Sequence, residues 1–278
     1  MPELPELEVV RDVLIRRIAG TKINAVNILP PGGAVVIRDL TNLGFAESLT
    51  GTTIKTIARR GKFLLFSLER DDAKFFIVIN PKLSGRLQLA SPNDKRMPKT
   101  HILFLLSSGD ELRYVDQKQM GQVYLTRDVE TVPEFSGMGP EALDVSREDF
   151  REQLKKFRGE IKGILTRKEF VAGIGNAYAD EILFAARLHP YRKRTQLTTQ
   201  EIDQLYDAMQ LTLREATEKV RAEMGEQVHL KPRDFMAVHM KSGEPCPRCG
   251  TAISLVGANQ RITNFCRTCQ PGGLIKGM

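Results

Sequence analysis

The chain has 278 residues, 41% of them hydrophobic and 27% charged, which excludes a disordered or fibrous protein and fits two domains plus a small appendage. No apolar run is long enough to span a bilayer. The acidic opening Met1-Pro2-Glu3-Leu4-Pro5-Glu6-Leu7-Glu8 lacks the apolar stretch of a signal peptide, so a cytosolic location is expected, at the nucleoid if the source is bacterial.

A net charge of +7 suits a polyanionic partner, usually nucleic acid, although many basic proteins bind nothing acidic. The distribution says more than the total. Lys55, Arg59, Arg60 and Lys62 follow one another with no acid between them, and five cations stand against Glu244 alone from Lys241 onward. Two such patches, far apart in sequence, can line one groove.

In chain order, Leu7, Val10, Leu14 and Ile18 recur at helical spacing and stop at Gly20, predicting an amphipathic helix over about 5–19. Short apolar runs then follow to about residue 126, such as Phe75-Phe76-Ile77-Val78-Ile79 and Gln122-Val123-Tyr124-Leu125, separated by turn signals such as Ser108-Gly109-Asp110. They predict an antiparallel sheet domain of sandwich type. Val132-Pro133 through Gly139-Pro140 reads as a linker. Beyond it the chain turns helical: Thr198-Thr199-Gln200-Glu201 fits a capping box ahead of Ile202, Leu205 and Met209, and His189-Pro190 stops the preceding helix. The expected domains are 1–133, 141–235 and 236–272, in a monomer.

All four cysteines fall in two pairs, Cys246-x-x-Cys249 and Cys266-x-x-Cys269, separated by sixteen residues. A hairpin joining two such knuckles can set four thiolates tetrahedrally around one Zn²⁺. A redox dithiol, a disulfide pair or an iron site would use the same residues, and a cytosolic setting argues against the disulfide. Arg261, on the intervening hairpin, has the planar fork that suits phosphate; a solvated surface arginine is the plainer alternative.

Taken together, these segments resemble the formamidopyrimidine-DNA glycosylase and endonuclease VIII family, closer to the first branch, over nearly the whole chain. The resemblance rests on Met1-Pro2-Glu3-Leu4-Pro5-Glu6-Leu7-Glu8, Arg59-Arg60-Gly61-Lys62, Gly139-Pro140-Glu141, Val171-Ala172-Gly173-Ile174-Gly175-Asn176 and the cysteine module with Gln260-Arg261, in that order. It implies an α+β fold: an N-terminal antiparallel β-sandwich flanked by helices, a helix–two-turn–helix domain and a zinc finger, with damaged duplex DNA held in the cleft between domains.

The chemistry implied is a bifunctional one. Once Met1 is removed, Pro2 offers a secondary amine whose pKa of about 7.7–8 leaves part of it neutral near pH 7. Attack on the sugar C1′ expels the base, and the resulting cationic imine acidifies the C2′ proton, so strand cleavage by elimination follows. Glu3 is the expected general acid/base and Glu6 orients the helix terminus or the amine; an ordinary helix start would also favour Pro and acids here. By resemblance Lys62, Lys162, Asn176 and Arg261 contact DNA, Asn176 opening a helix whose N-terminus favours phosphate.

Two regions depart from the family pattern. The side chains that fill the gap left by an extruded nucleotide would be Leu83, Gln119 and Met120, where the first branch commonly has Met and an Arg-Phe pair. Gln119 lacks the arginine fork, so reading of the opposite base changes; the same three residues also suit core and turn positions. The Gly-Gly-Ser/Thr stretch that caps 8-oxoguanine is missing from 217–238, and His239 stands where tyrosine is frequent. The alternatives are therefore an AP lyase, a glycosylase for a lesion other than 8-oxoguanine, or an inactive zinc protein that binds damaged DNA.

Overall fold

The computed structural model describes residues 1–257 and 262–272. It forms two compact units, one of Met1–Gly137 with Val220–Pro232, the other of Met138–Lys219 with Arg233–Met278.

The first unit opens with helix α1, Leu4–Ile18. Leu4, Leu7, Val10, Leu14 and Ile18 form its inward face, none more than 6% exposed, while Arg16 and Arg17 in the last turn complement the helix dipole. Strands β1 (Ile23–Ile28), β2 (Ile37–Asp39), β3 (Thr53–Arg60), β4 (Phe63–Arg70), β5 (Ala73–Asn80), β6 (Gly85–Ala90), β7 (Thr100–Leu106), β8 (Glu111–Asp116) and β9 (Gln122–Thr126) follow. Two five-residue helices, α2 (Gly32–Val36) and α3 (Phe45–Leu49), lie between β1 and β3.

The strands make a four-stranded sheet in the order β1-β7-β8-β6 and a five-stranded sheet in the order β2-β9-β5-β4-β3. All pairings are antiparallel except β2 with β9, a three-residue parallel edge. Ile23, Phe104 and Leu112 of one sheet meet Ile54, Phe66 and Ile77 of the other around a small apolar void, which makes the pair a sandwich. The β3–β4 hairpin turns on Gly61 and Lys62, with Arg60 paired to Phe63. Gly61 sits at φ +55°, a conformation only glycine adopts without strain, and this tight turn sets Lys62 at the hairpin tip.

Residues 220–232 also belong to this unit. Arg221 pairs with Asp12 at 2.9 Å, Glu226 pairs with Arg16 at 2.7 Å and Arg17 at 3.3 Å, and Arg86 donates to the His229 carbonyl at 3.3 Å.

The second unit contains α4 (Arg147–Lys155), α5 (Ile161–Leu165), α6 (Asn176–Ala185) and most of α7 (Thr199–Met224). Ser146 caps α4 by accepting from Asp149 N, and the capping box at Thr198 is formed: Glu201 N donates to Thr198 Oγ1 and Thr198 N to Glu201 Oε2. Phe150, Phe170 and Tyr206 stack with ring centroids 5.1 and 5.5 Å apart. A hairpin of β10 (Ser254–Val256) and β11 (Thr263–Phe265) completes the unit. Among the described residues no helix is long and apolar enough to cross a membrane.

Candidate active site and nucleic-acid interface

In the first unit, the start of α1 gathers three of the expected residues. Pro2 is buried, as are Glu3 and Glu6, at 2% and 1% exposure. Glu3 is the N-cap, and its backbone N–H donates to Glu6 Oε2 at 2.8 Å. Glu6 therefore satisfies an otherwise orphaned helix donor and fixes the chain just after Pro2. Behind Pro2 lies a narrow apolar cavity lined by Leu7, Val10, Tyr114, Val228 and Leu230.

Lys62 is half-buried beside this group. Burial lowers its pKa from the ordinary 10.5, Glu3 and Glu134 raise it by their charge, and Lys82 lowers it further. Lys82 in turn pairs with Glu134 at 2.8 Å. Arg59, in the same basic run, is structural: its guanidinium bonds Glu8 and the Gly61 carbonyl, tying α1 to the hairpin that carries Lys62.

Leu83 and the pair Gln119-Met120 occupy the turns between β5 and β6 and between β8 and β9. Leu83 and Gln119 are half-buried and Met120 is 46% exposed. The two turns are joined by Ser84 and Asp116, which no sequence pattern marks. A serine beside glycine and an aspartate closing a strand are common enough to pass unnoticed.

In the second unit the expected phosphate residues are tied to the finger. Asn176, the first residue of α6, donates from Nδ2 to the Ile262 carbonyl at 2.8 Å. Lys162 is only 7% exposed: its Nζ reaches Asp180 Oδ1 at 2.7 Å, Thr263 Oγ1 at 2.8 Å and the Ile262 carbonyl at 2.9 Å. Its ammonium is directed into the protein, where it supports the hairpin next to Arg261. Arg261 itself, with Gln260, lies outside the described residues.

Asp180, wholly buried, also takes His239 Nδ1 at 2.8 Å and both nitrogens of Asn264 at 3.3 Å. Its neighbour Glu181 accepts the backbone N–H groups of Ala237, Val238 and His239 at 2.8, 2.9 and 2.8 Å. Two adjacent acids inside an otherwise apolar helix are the one sign in the sequence that α6 anchors something.

The four cysteines converge, with every Sγ within 4.8 Å of the others. Cys246 and Cys269 stand 3.8 Å apart, Cys249 and Cys266 3.5 Å. Sulfurs at Zn–S distances of about 2.3 Å on tetrahedral corners are about 3.8 Å apart, so the set fits Zn²⁺; a disulfide would need about 2.05 Å. Phe184 of α6 packs with Val238, Cys246, Ile253 and Cys266, so the finger shares its core with the helix that carries Asn176.

Three family models match consecutive parts of the chain: the formamidopyrimidine-DNA glycosylase N-terminal domain over 1–123, the formamidopyrimidine-DNA glycosylase H2TH domain over 137–226, and the zinc finger found in FPG and IleRS over 243–272. The formamidopyrimidine-DNA glycosylase of Symbiobacterium thermophilum is 37% identical over 98% of this chain and 90% of its own length. That of Geobacillus kaustophilus is 34% identical over 97% of this chain and 100% of its own. Among solved structures, Lactococcus lactis Fpg bound to DNA with an abasic site aligns with a TM-score of 0.82 at 31% identity, covering 98% of this chain and 100% of that one. The same protein with Fapy-dG DNA aligns at 0.83 and 32%, covering 97% and 100%.

A sandwich opening on a buried proline, a helical domain and a four-cysteine finger holding one structural Zn²⁺ define a DNA-repair enzyme that joins glycosylase to AP lyase activity. The particular family follows from matches that run the length of the chain. The chain belongs to the formamidopyrimidine-DNA glycosylase family.

Proposed function

We propose that the chain excises oxidised purines of the formamidopyrimidine type from duplex DNA and cleaves the strand at the resulting or pre-existing abasic site, with Pro2 as nucleophile. The observation that carries this reading is the burial of Pro2 between Glu3, Glu6 and an apolar cavity. After Met1 is removed, the Pro2 nitrogen bonds to C1′ as the C1′–base bond breaks, the amine proton leaves with the base, and a proton from Glu3 on the ring oxygen opens the sugar. The secondary amine yields an iminium with no N–H to lose. The C2′ proton is acidified instead, and its removal expels the 3′ phosphate. Glu6, engaged with the Glu3 N–H, orients the terminus rather than the proton. We assign Lys62, Asn176 and Arg261 to phosphates, and Lys162 to positioning of the finger hairpin. The domains are proposed as 1–133, 141–235 and 236–272 in sequence, with 220–232 packed in the first compact unit, and the location as the cytoplasm, at the nucleoid, in keeping with bacterial relatives.

A second reading, preference for abasic sites and for lesions other than 8-oxoguanine, is favoured by Gln119 in place of an arginine and by the segment 226–230, held against α1 and β6 by Glu226 and His229. Borohydride trapping distinguishes the two. Processed protein should form a covalent adduct with DNA carrying an abasic site or formamidopyrimidine base, and retention of Met1 should abolish it with every DNA. An adduct with the abasic site alone would select the second reading; tight binding with no adduct to any DNA would overturn both.

Lys62 gives this reading a pH signature. Only its ammonium attracts phosphate, and burial makes it lose the proton below the ordinary lysine pKa of 10.5. DNA affinity should therefore weaken as the pH rises from neutrality, before exposed lysines titrate, and Lys62→Arg should flatten that limb. In the free protein the sign for folding is opposite. The charged form weighs against the fold at neutral pH, and this cost fades as the pH approaches 10.5. Anisotropy titrations across the alkaline range, with and without the arginine variant, check the binding claim.

A further inference from the structure

Asp116 ends β8 with its carboxylate completely buried. Among the described residues no cation pairs with it. A carboxylate in that position must be held by hydrogen bonds; besides the Tyr114 hydroxyl, which lies against it on the same strand, its donors come from two different turns. Ser84 Oγ donates to Oδ1, Lys118 N donates to Oδ1 at 3.2 Å and to Ser84 Oγ at 2.9 Å, and Gly121 N donates to Oδ2 at 2.7 Å. A Cβ on Gly121 would lie 1.8 Å from the Tyr114 hydroxyl, so the second turn closes this tightly only around glycine. The main chain of Asp116 is also anchored, its N–H to the Lys99 carbonyl at 3.0 Å and its carbonyl to His101 Nε2 at 2.8 Å.

These are the turns that carry Leu83, Gln119 and Met120. Each contains a non-glycine residue in the left-handed region, Lys82 at φ 45° and Gln119 at φ 54°, conformations that persist only where neighbouring contacts enforce them. We propose that Ser84 and Asp116 are positioning residues that latch the two turns into one rigid wedge, so that the three side chains enter the duplex together when the damaged nucleotide is extruded. The inference rests on reading Leu83, Gln119 and Met120 as gap fillers. Two loops ordered before binding do not have to be ordered during it, which speeds insertion and holds the extruded state.

The test uses the full, zinc-loaded, Met1-processed chain. The protein has no tryptophan, so 2-aminopurine placed beside the lesion reports unstacking with little protein background. Stopped-flow 2-aminopurine fluorescence and single-turnover base release are measured for Ser84→Ala, Ser84→Thr and the double variant Leu83→Ala/Met120→Ala. Trapping is measured in parallel at an abasic site in a mismatched bulge, where the nucleotide is already unstacked.

Ser84→Ala should slow extrusion and duplex base release on the order of tenfold to a hundredfold, the scale of a misplacement of about 1 Å. Trapping in the bulge should stay close to that of the unaltered protein, and Ser84→Thr should restore the duplex rate. If the filler double variant slows extrusion and Ser84→Ala does not, the latch is overturned and the wedge stands. Failure of both variants to slow it would remove the wedge and the latch together. Equal losses in duplex and bulge would make Ser84 a general structural residue and overturn the positioning role.

Discussion

Glu3→Gln is expected to leave DNA binding intact and to slow base release by about 10²–10⁴-fold, the usual contribution of a positioned general acid/base. The substitution preserves volume in a site only 2% exposed, and the helix terminus keeps the bond from the residue 3 backbone to Glu6, so the fold should be unchanged. What is lost is the proton donor at the sugar. A second effect follows from the neighbouring charge: Glu3 raises the pKa of Lys62, so its neutralisation lets burial depress that pKa further. The alkaline loss of DNA affinity should then begin at lower pH than in the unaltered protein. Single-turnover kinetics and pH-resolved binding separate the two effects. A Glu3→Gln protein with undiminished base release would remove Glu3 from the chemistry and transfer the acid role to Glu6.

Zinc removal is expected to unfold 243–272 and, with it, the grip on DNA. Structural Zn²⁺ in small fingers contributes about 10–16 kcal/mol to their folding, and the residues that enclose Cys246 and Cys266 also enclose Phe184 of α6. Loss of the metal releases the β11 hairpin from Lys162 and Asn176, which hold the Ile262 carbonyl. Titration with a strong chelator should thus abolish DNA affinity in step with zinc release, expose the finger to protease, and leave the far-UV signal of the sandwich in place. Full DNA affinity after complete zinc release would show that the finger is dispensable for binding.

The parts of this molecule that were legible in sequence are those with short periods. α1 showed its apolar face at helical spacing, β5 and β9 showed compact apolar runs, Thr198 and Glu201 formed a box three residues apart, and the cysteines came as two knuckles. What stayed hidden depends on residues that meet only after folding. Ser84 and Asp116 are 32 residues apart, and the buried group of Lys162, Asp180, His239 and Asn264 draws on four separate segments. Lys162 read as a DNA contact because a lysine in sequence carries no sign of which way its ammonium faces. The assignment of 220–232 to the first unit was equally hidden, since Arg221 and Glu226 look like any exposed ends of a helix until Asp12, Arg16 and Arg17 are brought beside them.

Arg113, at the centre of β8, has no exposed surface. Its guanidinium bonds Glu111 at 2.7 Å and the carbonyls of Ser91 and Asp94 at 2.9 and 3.1 Å, so it fastens the 91–96 loop to the sheet. A buried charge can be exchanged only together with its counter-charge, because either single change strands the other in a medium that cannot solvate it. Positions 111 and 113 should therefore behave as one heritable unit. Across relatives they are expected to be retained together or replaced together by apolar residues, with single replacements purged, while the loop residues that contribute only carbonyls to Arg113 drift freely in side chain.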